Sequence, residues 1–226
     1  MKQRQTVLFE VITGSRGLDL DLPGSGTDIM RVVAHGPENY LGLIPYTKAQ
    51  HTRGDEEEVV IYDLRFFCQL LLKGSFNAHL PLFFSKKKVM QVAPAFQSFL
   101  DKPADFFTYN SVKSFHGFAF KMFRKFQECQ DFKAAANGLL VLDAAVEIAT
   151  EGRWTGWPDG GAFLRNVKHG AFDYGYVFEY YQKSLAAWKP EDLENEFYVE
   201  QVHNAERRLS ELCVEVLKGV CNVQTK

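Results

Sequence analysis

The pattern of hydrophobic and polar positions divides the chain into a strand-rich first half and a helical second half. Residues 6–13, 29–34 and 56–62 are rich in β-branched and aromatic side chains, so each of these segments predicts a β-strand. The stretch at 35–55 carries glycine, proline and scattered polar residues, which predicts a connecting loop with room for a short helix. The first half is therefore expected to form a sheet.

Apolar residues repeat at intervals of three and four through much of the remaining chain, which is the spacing of amphipathic helices. The first such helix follows Asp63, whose side chain suits an N-terminal cap. Further helices are predicted after Pro103, over 133–151 with Gly152 as the stop, and after Pro190. The residues predicted to face inward are Leu64, Phe67, Cys68 and Leu71; Val112, Phe115, Ala119, Met122 and Phe126; Ala135, Leu139, Leu142, Val146 and Ala149; and Val202, Ala205, Leu209, Leu212 and Val216. The last group is expected to pack on the helical core or on a partner.

Composition fits a core-forming chain, since 46% of the 226 residues are hydrophobic and 24% are charged. The 20 phenylalanines, many at helical spacing, predict a phenylalanine-packed core. A net charge of −2 argues against binding nucleic acid by bulk charge and leaves only a local basic groove open. No apolar run approaches the ~20 residues of a membrane span, the start is no signal peptide, and the cysteines lack metal-ligand spacing. These features predict a cytoplasmic protein with free thiols and no membrane contact.

The candidate chemistry lies where the first predicted strand stops. That strand ends on Gly14 and Ser15, and a turn-rich piece at 22–27 leads to Asp28 at the start of the next strand. Backbone N–H groups and a hydroxyl at such a strand end can hold a phosphate. A carboxylate beside them can hold the Mg²⁺ that accompanies the phosphate.

This arrangement resembles the nucleotidyltransferases of the DNA polymerase β superfamily, in particular their bacterial and phage branch, whose pattern is GSRAYGLATPDSDxDxRGV. The resemblance extends through the LLLKG segment at 70–74 and the lysine-containing segment at 164–170. It implies an α+β fold, with a nucleotidyltransferase-type mixed sheet over residues 1–100 and a C-terminal helical domain over 101–226 packed on it. Without gaps, the residues that match the pattern are Gly14, Ser15, Arg16, Leu20, Pro23, Ser25, Asp28 and Val32.

The resemblance also implies roles for individual residues. Asp28 and Glu58 would be the catalytic carboxylates and the ligands of Mg²⁺. The residues that would bind the nucleotide are Gly14, Ser15, Arg16, Ser25, Lys73 and Lys168.

The chain departs from the family pattern at charged and polar positions. The first metal aspartate of the family falls on Gly26, and a family glutamate falls on Leu80. A family histidine and arginine fall on Asn137 and Leu140. Together these replacements remove much of the charge of the pocket, so Mg²⁺ is expected to bind weakly or not at all.

Other polar residues are open to two interpretations. Asp19 and Asp21 have the Asp-x-Asp spacing of a metal site, but the tip of a loop also suits solvated turn residues. The lysines at 86–88 could contact a phosphate backbone or form a solvated turn. Three histidines could likewise contact phosphates or be structural: His79, His116 and His169.

Two functions follow from these residues. The first is nucleotidyl transfer from an NTP to an RNA end or another acceptor, with catalysis impaired or lost. The second is a catalytically inactive relative that binds a nucleotide, an RNA or a partner protein as a regulator or inhibitor. The retained Asp28 and Glu58 favour the first function, and the replaced residues favour the second.

Overall fold

A computed structural model of the protein describes residues 5–41, 47–54, 56–151, 153–155, 161–187 and 196–224. Its first part is a five-stranded mixed sheet with the order β3-β4-β2-β1-β5. Strands β2 and β4 are parallel, and the other neighbours are antiparallel. The strands are β1 (Gln5–Thr13), β2 (Thr27–His35), β3 (Ala49–Arg53), β4 (Glu57–Asp63) and β5 (Val89–Val92).

Short helices connect the strands, and longer helices make up the second half of the described chain. The α-helices are α1 (Gly14–Gly17), α2 (Pro37–Leu41), α3 (Leu64–Leu72), α4 (Phe76–His79), α5 (Gln97–Asp101), α6 (Tyr109–Cys129), α7 (Phe132–Glu151), α8 (Ala162–Lys168), α9 (Tyr174–Ala187) and α10 (Glu196–Gln224). A mixed sheet with a C-terminal helical region confirms the predicted α+β class. No helix in the described ranges combines the length and apolar character needed to cross a bilayer.

The three predicted strands are confirmed as β1, β2 and β4, but the sheet has two more. Part of the predicted loop at 35–55 is the edge strand β3, whose five residues are all exposed. An exposed edge strand lacks the alternation of apolar and polar residues that marks a half-buried strand, so nothing in the pattern of β3 predicts a strand. The predicted helix boundaries at Gly152 and Pro190 lie outside the described residues.

Helix α3 begins where the sequence predicts. The buried Asp63 caps it, because Asp63 Oδ1 accepts hydrogen bonds from the backbone N–H groups of Arg65 at 3.0 Å and Phe66 at 3.3 Å. The other carboxylate oxygen accepts a hydrogen bond from the Tyr40 hydroxyl at 2.5 Å. The capping side chain therefore also ties α3 to α2, which contains Tyr40.

One hydrophobic core joins the sheet to α3 and α10. Phenylalanines stack through it, with ring centroids 5.1 Å apart for Phe9 and Phe96 and 4.6 Å apart for Phe96 and Phe99. The apolar stripe of α10 packs into this core, chiefly against α3, and α10 also contacts α6. The helix therefore packs on the sheet side of the molecule as well as on the helical side. The buried residues of this stripe are Ala205, Leu209, Leu212 and Val216.

A second core is built from α6, α7, α8 and α9. Tyr181 of α9 is fully buried, and its hydroxyl donates a hydrogen bond to the carbonyl of Ala119 at 2.6 Å. This hydroxyl passes over Gly138 of α7, where an added Cβ would lie 1.6 Å from it. The glycine thus provides the space in which three helices meet.

Candidate functional site

Strands β1 and β2 bring Gly14 against Asp28. Thr13, the last residue of β1, is paired with Asp28 near the start of β2. Gly14 has a φ of +59°, and an added Cβ would lie 1.7 Å from Asp28 Oδ2. Glycine is the residue that tolerates this φ and also leaves room for the carboxylate. The predicted meeting of Gly14, Ser15 and Asp28 at neighbouring strand ends is confirmed.

The second predicted carboxylate lies beside the first. Asp28 and Glu58 are direct partners on the parallel strands β2 and β4. Burial, and then the neighbouring Glu58 carboxylate, raises the pKa of Asp28 above its ordinary value. Lys133 and Lys168 oppose this rise, because a nearby positive charge favours the ionised carboxylate. The two predicted carboxylates therefore share one electrostatic environment with two lysines.

Glu58 is paired with a histidine and an arginine of the edge strand β3. His51 Nε2 lies 2.6 Å from Glu58 Oε1, and Arg53 Nε lies 3.8 Å from Glu58 Oε2. His51 and Arg53 are two residues apart, so both side chains lie on the same face of β3. Sequence analysis missed these residues, although a histidine and an arginine at alternate positions were a possible signal.

A polar cleft of about 570 Å³ opens on one side of the carboxylates. We use this name for the space bordered by Ser15, the turn at 22–27, Asp28, Arg53, Gly54, the glutamates at 56–58, Lys133 and Lys168. Glu56 and Glu57 are exposed, whereas Asp28 and Glu58 are partly buried. Lys133, near the start of α7, is a third site residue that the motif did not predict.

Lys168 reaches the polar cleft from α8 and is held in place there. Its Nζ donates a hydrogen bond to the carbonyl of Leu20 at 2.8 Å. Burial, and then repulsion from Lys133, lowers the pKa of Lys168, while Asp21 and Asp28 act in the opposite direction. The lysine predicted from the resemblance thus lies at the site, in an environment that disfavours its positive charge.

An apolar pocket of about 300 Å³ opens on the other side of the carboxylates. Alternate residues of a strand share a face. Met30 therefore follows Asp28 on the same face of β2, Val60 and Tyr62 follow Glu58 on β4, and all three line this pocket. Its apolar and aromatic lining includes Met30, Val60, Tyr62, Phe76, Leu80 and Phe84. The carboxylates therefore stand between a charged space and one suited to a flat apolar ring.

Two further predicted residues brace the loop that carries the site. Arg16 donates hydrogen bonds to the Thr27 hydroxyl at 2.9 Å and to the Ser25 carbonyl at 2.8 Å. The Ser25 hydroxyl accepts a hydrogen bond from the backbone N–H of Leu22 at 2.9 Å, and Ser25 also borders the polar cleft. Lys73, by contrast, lies exposed at the carboxyl end of α3 and lines neither the polar cleft nor the apolar pocket.

Asp19 and Asp21 do not join the two carboxylates. Asp19 Oδ1 accepts a hydrogen bond from Lys88 Nζ at 2.6 Å. Both aspartates border a separate groove together with the lysines at 86–88, and neither borders the polar cleft or the apolar pocket. Their geometry is that of charged residues on a surface loop.

Two of the four replaced family positions, Gly26 and Leu80, border the site, and none of the four adds charge to it. Gly26 immediately precedes β2, and an added Cβ would lie 3.3 Å from the carbonyl oxygen of Glu56. Leu80 lines the apolar pocket, and Leu140 is buried in the helical core. Asn137 is partly buried and lies one turn after Lys133 on α7.

The described residues do not fit a site for two metal ions. Within the described ranges, no group of three or more histidine, cysteine, aspartate or glutamate side chains could hold a metal. Asp28 and Glu58 supply two carboxylates at the junction, and Glu58 is already paired with His51 and Arg53. Two-metal sites for nucleotidyl transfer need ligands that clamp both ions.

Sequence comparison identifies the family of this chain. Residues 1–152 match the family RlaP, described as the RNA repair pathway DNA polymerase beta family. The chain belongs to this family. Asp28, Glu58 and Lys133 lie within the matched residues, whereas Lys168 lies beyond them.

The comparison confirms the predicted membership of the polymerase β superfamily. A solved structure, of a nucleotidyltransferase-like protein from Exiguobacterium sibiricum 255-15, is similar over 92% of this chain and 68% of its own, at 10% identity and a TM-score of 0.30. No curated protein matches the sequence.

Proposed function

We propose that this chain binds a nucleoside triphosphate across the carboxylates and only slowly transfers its nucleotidyl group to a hydroxyl at an RNA end, with release of pyrophosphate. The observation that carries the proposal is the alignment of Asp28 and Glu58 between the polar cleft and the apolar pocket. A triphosphate suits the side that holds lysines and a serine hydroxyl, and a nucleobase suits the aromatic side. Membership of a polymerase β family described by an RNA repair pathway supports a nucleotide as ligand and RNA as acceptor.

Residues of this chain would bind and orient the nucleotide. The Ser15 hydroxyl can donate a hydrogen bond to a phosphate oxygen, and Lys133 and Lys168 can neutralise phosphate charge. Transfer is proposed to be slow because the positions of the family's histidine and arginine hold Asn137 and Leu140. Charged groups at a phosphoryl centre stabilise the transition state, so their loss lowers the rate.

The alternative is a catalytically inactive relative that binds a nucleotide, an RNA or a partner protein as a regulator. The pairing of Glu58 with His51 and Arg53 favours this alternative, because a carboxylate engaged by protein cations is less available for a metal. Nucleotide binding is compatible with both functions, and they differ in whether a covalent product forms.

The test is to incubate the purified protein with labelled NTPs, Mg²⁺ or Mn²⁺, and total RNA, and to separate RNA from protein afterwards. Slow labelling of RNA that is lost in Asp28→Asn would support transfer, while nucleotide binding without label would support the regulator. The control is Asp101→Asn, which changes an exposed aspartate that borders neither space. Absence of nucleotide binding by the wild type would contradict nucleotidyl transfer and the nucleotide-binding form of the regulator.

Mg²⁺ is proposed to bind the free protein weakly and to depend on Asp28 and Glu58 together. Two carboxylates leave most of the six positions around Mg²⁺ to water, so the ion gains little on leaving solution. Calorimetry with MgCl₂ alone tests this point. Tight binding would show that a further ligand exists, with Glu56 and Glu57, which border the polar cleft, as the first candidates to substitute.

A further inference from the structure

Positive side chains border the polar cleft where the family pattern places a metal aspartate. The position of that aspartate holds Gly26, and the cleft is bordered instead by Lys133 of α7 and Lys168 of α8. On the strand side, His51 and Arg53 of β3 are paired with Glu58. The chain thus carries its own cations on both sides of the aligned carboxylates.

We propose that Lys133 and Lys168 bind the nucleotide phosphates directly, so that this site takes a nucleoside triphosphate without a divalent cation. The inference rests on the proposed function, in which a nucleotide enters the polar cleft. It goes further by assigning to two lysines the neutralisation of phosphate charge that a metal ion supplies in two-metal enzymes.

Lys168 has the geometry of a positioned phosphate ligand. Its ammonium group has three N–H donors, and the carbonyl of Leu20 takes one of them at 2.8 Å. That hydrogen bond fixes the nitrogen at the wall of the cleft and leaves the other donors for an anion. A second bond from the same helix, between Arg165 Nη1 and the carbonyl of Asp19 at 2.5 Å, fixes α8 against the loop.

The two lysines lie close enough to repel each other. Repulsion from Lys133, together with burial, acts against the positive charge of Lys168. Asp21 and Asp28 offset only part of this unfavourable interaction, since the pKa of Lys168 remains lowered. A triphosphate in the cleft would lie between the two ammonium groups and bring negative charge to both. Two like charges on separate helices that border one cavity are the arrangement that an anion stabilises.

Glu58 is poorly placed to hold a metal in competition with its present partners. A divalent ion that used Glu58 Oε1 would have to displace His51, whose Nε2 is 2.6 Å away. If Glu58 keeps its contact with His51, Asp28 is the one carboxylate of the aligned pair left to bind a metal ion. Lys133 and Lys168 lie near Asp28 and repel a cation. The polar cleft is bordered by four carboxylates, on Asp28, Glu56, Glu57 and Glu58, as well as by Arg53, Lys133 and Lys168. An anion is therefore favoured locally, beside the two lysines, rather than by the cleft as a whole.

The experiment measures ATP, GTP, CTP and UTP binding by calorimetry, once in excess EDTA and once in excess MgCl₂. We expect at least one NTP to bind in EDTA with an affinity within about threefold of that in MgCl₂. Lys133→Gln should weaken binding in EDTA about tenfold or more, because it removes a positive charge that neutralises phosphate. Lys133 is exposed, so this substitution leaves the core undisturbed. Lys168→Gln should weaken it likewise.

The matched control is Lys121→Gln, which removes an exposed lysine of α6 that borders neither the polar cleft nor the apolar pocket. It should bind the NTP as the wild type does. Binding that requires MgCl₂ would overturn the inference and leave the proposed function standing. Binding in EDTA that is unchanged in both lysine variants would also overturn it, and no binding under either condition would overturn the proposed function as well.

Discussion

At the scale of single residues, the contact between Gly14 and Asp28 determines the shape of the site. The carboxylate occupies the volume that any larger side chain at position 14 would need, since an added Cβ would lie 1.7 Å from Oδ2. The same glycine has a φ of +59°, which other residues adopt at a cost of about 1 kcal/mol. Conformation and space therefore both select glycine here.

We expect Gly14→Ala to lower both stability and nucleotide affinity, because the methyl group must displace Asp28. Gly170→Ala is the control: its φ is +69°, but the nearest atom to an added Cβ, on Phe132, is 3.9 Å away. Both variants share the strain of a left-handed alanine, so the control should lose about 1 kcal/mol and retain nucleotide binding. Thermal unfolding and NTP calorimetry measure the two effects. Equal behaviour of the two variants would contradict the role of the contact with Asp28.

Gly26→Asp should make nucleotide binding respond to Mg²⁺. Positions 26 and 28 alternate along an extended segment, so both carboxylates would point the same way and form the Asp-x-Asp pair of the family. Gly26 has no left-handed φ, and its Cβ would need a shift of only a few tenths of an ångström from the Glu56 carbonyl. We expect NTP affinity in MgCl₂ to exceed that in EDTA about tenfold in this variant. A stable variant whose affinity is the same in both buffers would show that position 26 does not face the phosphates.

At the scale of elements, hydrophobic pattern and capping predicted most of the fold. Asp63 and the apolar positions after it gave α3 correctly, because burial of one helix face leaves a period in the sequence. The edge strand β3 left no such period, since its residues Ala49–Arg53 are exposed on both faces.

Whether a site residue could be predicted depends on whether it belongs to a motif along the chain or is brought in by tertiary packing. Ser15, Asp28 and Glu58 follow from a motif, which orders residues along the chain. His51 and Lys133 belong to the site only because β3 pairs with β4 and the start of α7 borders the same cleft. Such tertiary neighbours cannot be read from spacing alone.

Helix packing around Tyr181 gives a prediction for two glycines of neighbouring helices. Gly138→Ala of α7 should destabilise the protein by about 1–3 kcal/mol, since the methyl group overlaps the Tyr181 hydroxyl and Met122. Gly117→Ala of α6 should instead stabilise it by roughly 0.5–1 kcal/mol, because no atom lies within 4 Å and alanine favours a helix. Urea unfolding of both variants tests the opposite signs. A stabilising Gly138→Ala would contradict the observed packing of Tyr181.

At the scale of the whole molecule, the sheet half and the helical half are bonded to each other through buried contacts. His79 is fully buried, and its Nε2 lies 2.9 Å from the Leu71 carbonyl of α3 and 3.0 Å from the Ser111 hydroxyl of α6. Helix α10 adds an apolar contact to α3. The two parts of the described chain therefore support each other's packing, and the site lies between them.

The buried His79 predicts how overall stability depends on pH. Burial lowers the pKa of His79 from 6.5 to about 4, so the folded protein binds this proton only at more acidic pH than the unfolded chain does. Above about pH 6.5, the neutral His79 makes its full contribution to the free energy of unfolding. This contribution, about 3 kcal/mol in total, is lost as the pH falls towards 4. Urea unfolding at pH 7 and pH 5 should show the loss in the wild type and less of it in His79→Gln.

The control for this measurement is His203→Gln, which alters an exposed histidine of α10. Its dependence on pH should match that of the wild type. If His79→Gln and the wild type lose the same stability between pH 7 and pH 5, the assignment of this dependence to His79 is wrong.

The hydrogen bonds that α8 makes to the carbonyls of Asp19 and Leu20 also determine when the site is complete during synthesis. Lys168 and Leu20 are 148 residues apart in the chain, and Arg165 and Asp19 are 146 apart. At roughly 5–20 residues per second, the ribosome needs about 7–30 s to proceed from the loop to α8. During that interval the strands that carry Asp28 and Glu58 exist without the lysine of α8. A nascent chain would therefore carry both carboxylates for this interval without Lys168, and the site that we propose for a triphosphate would be complete only in chains translated beyond residue 168.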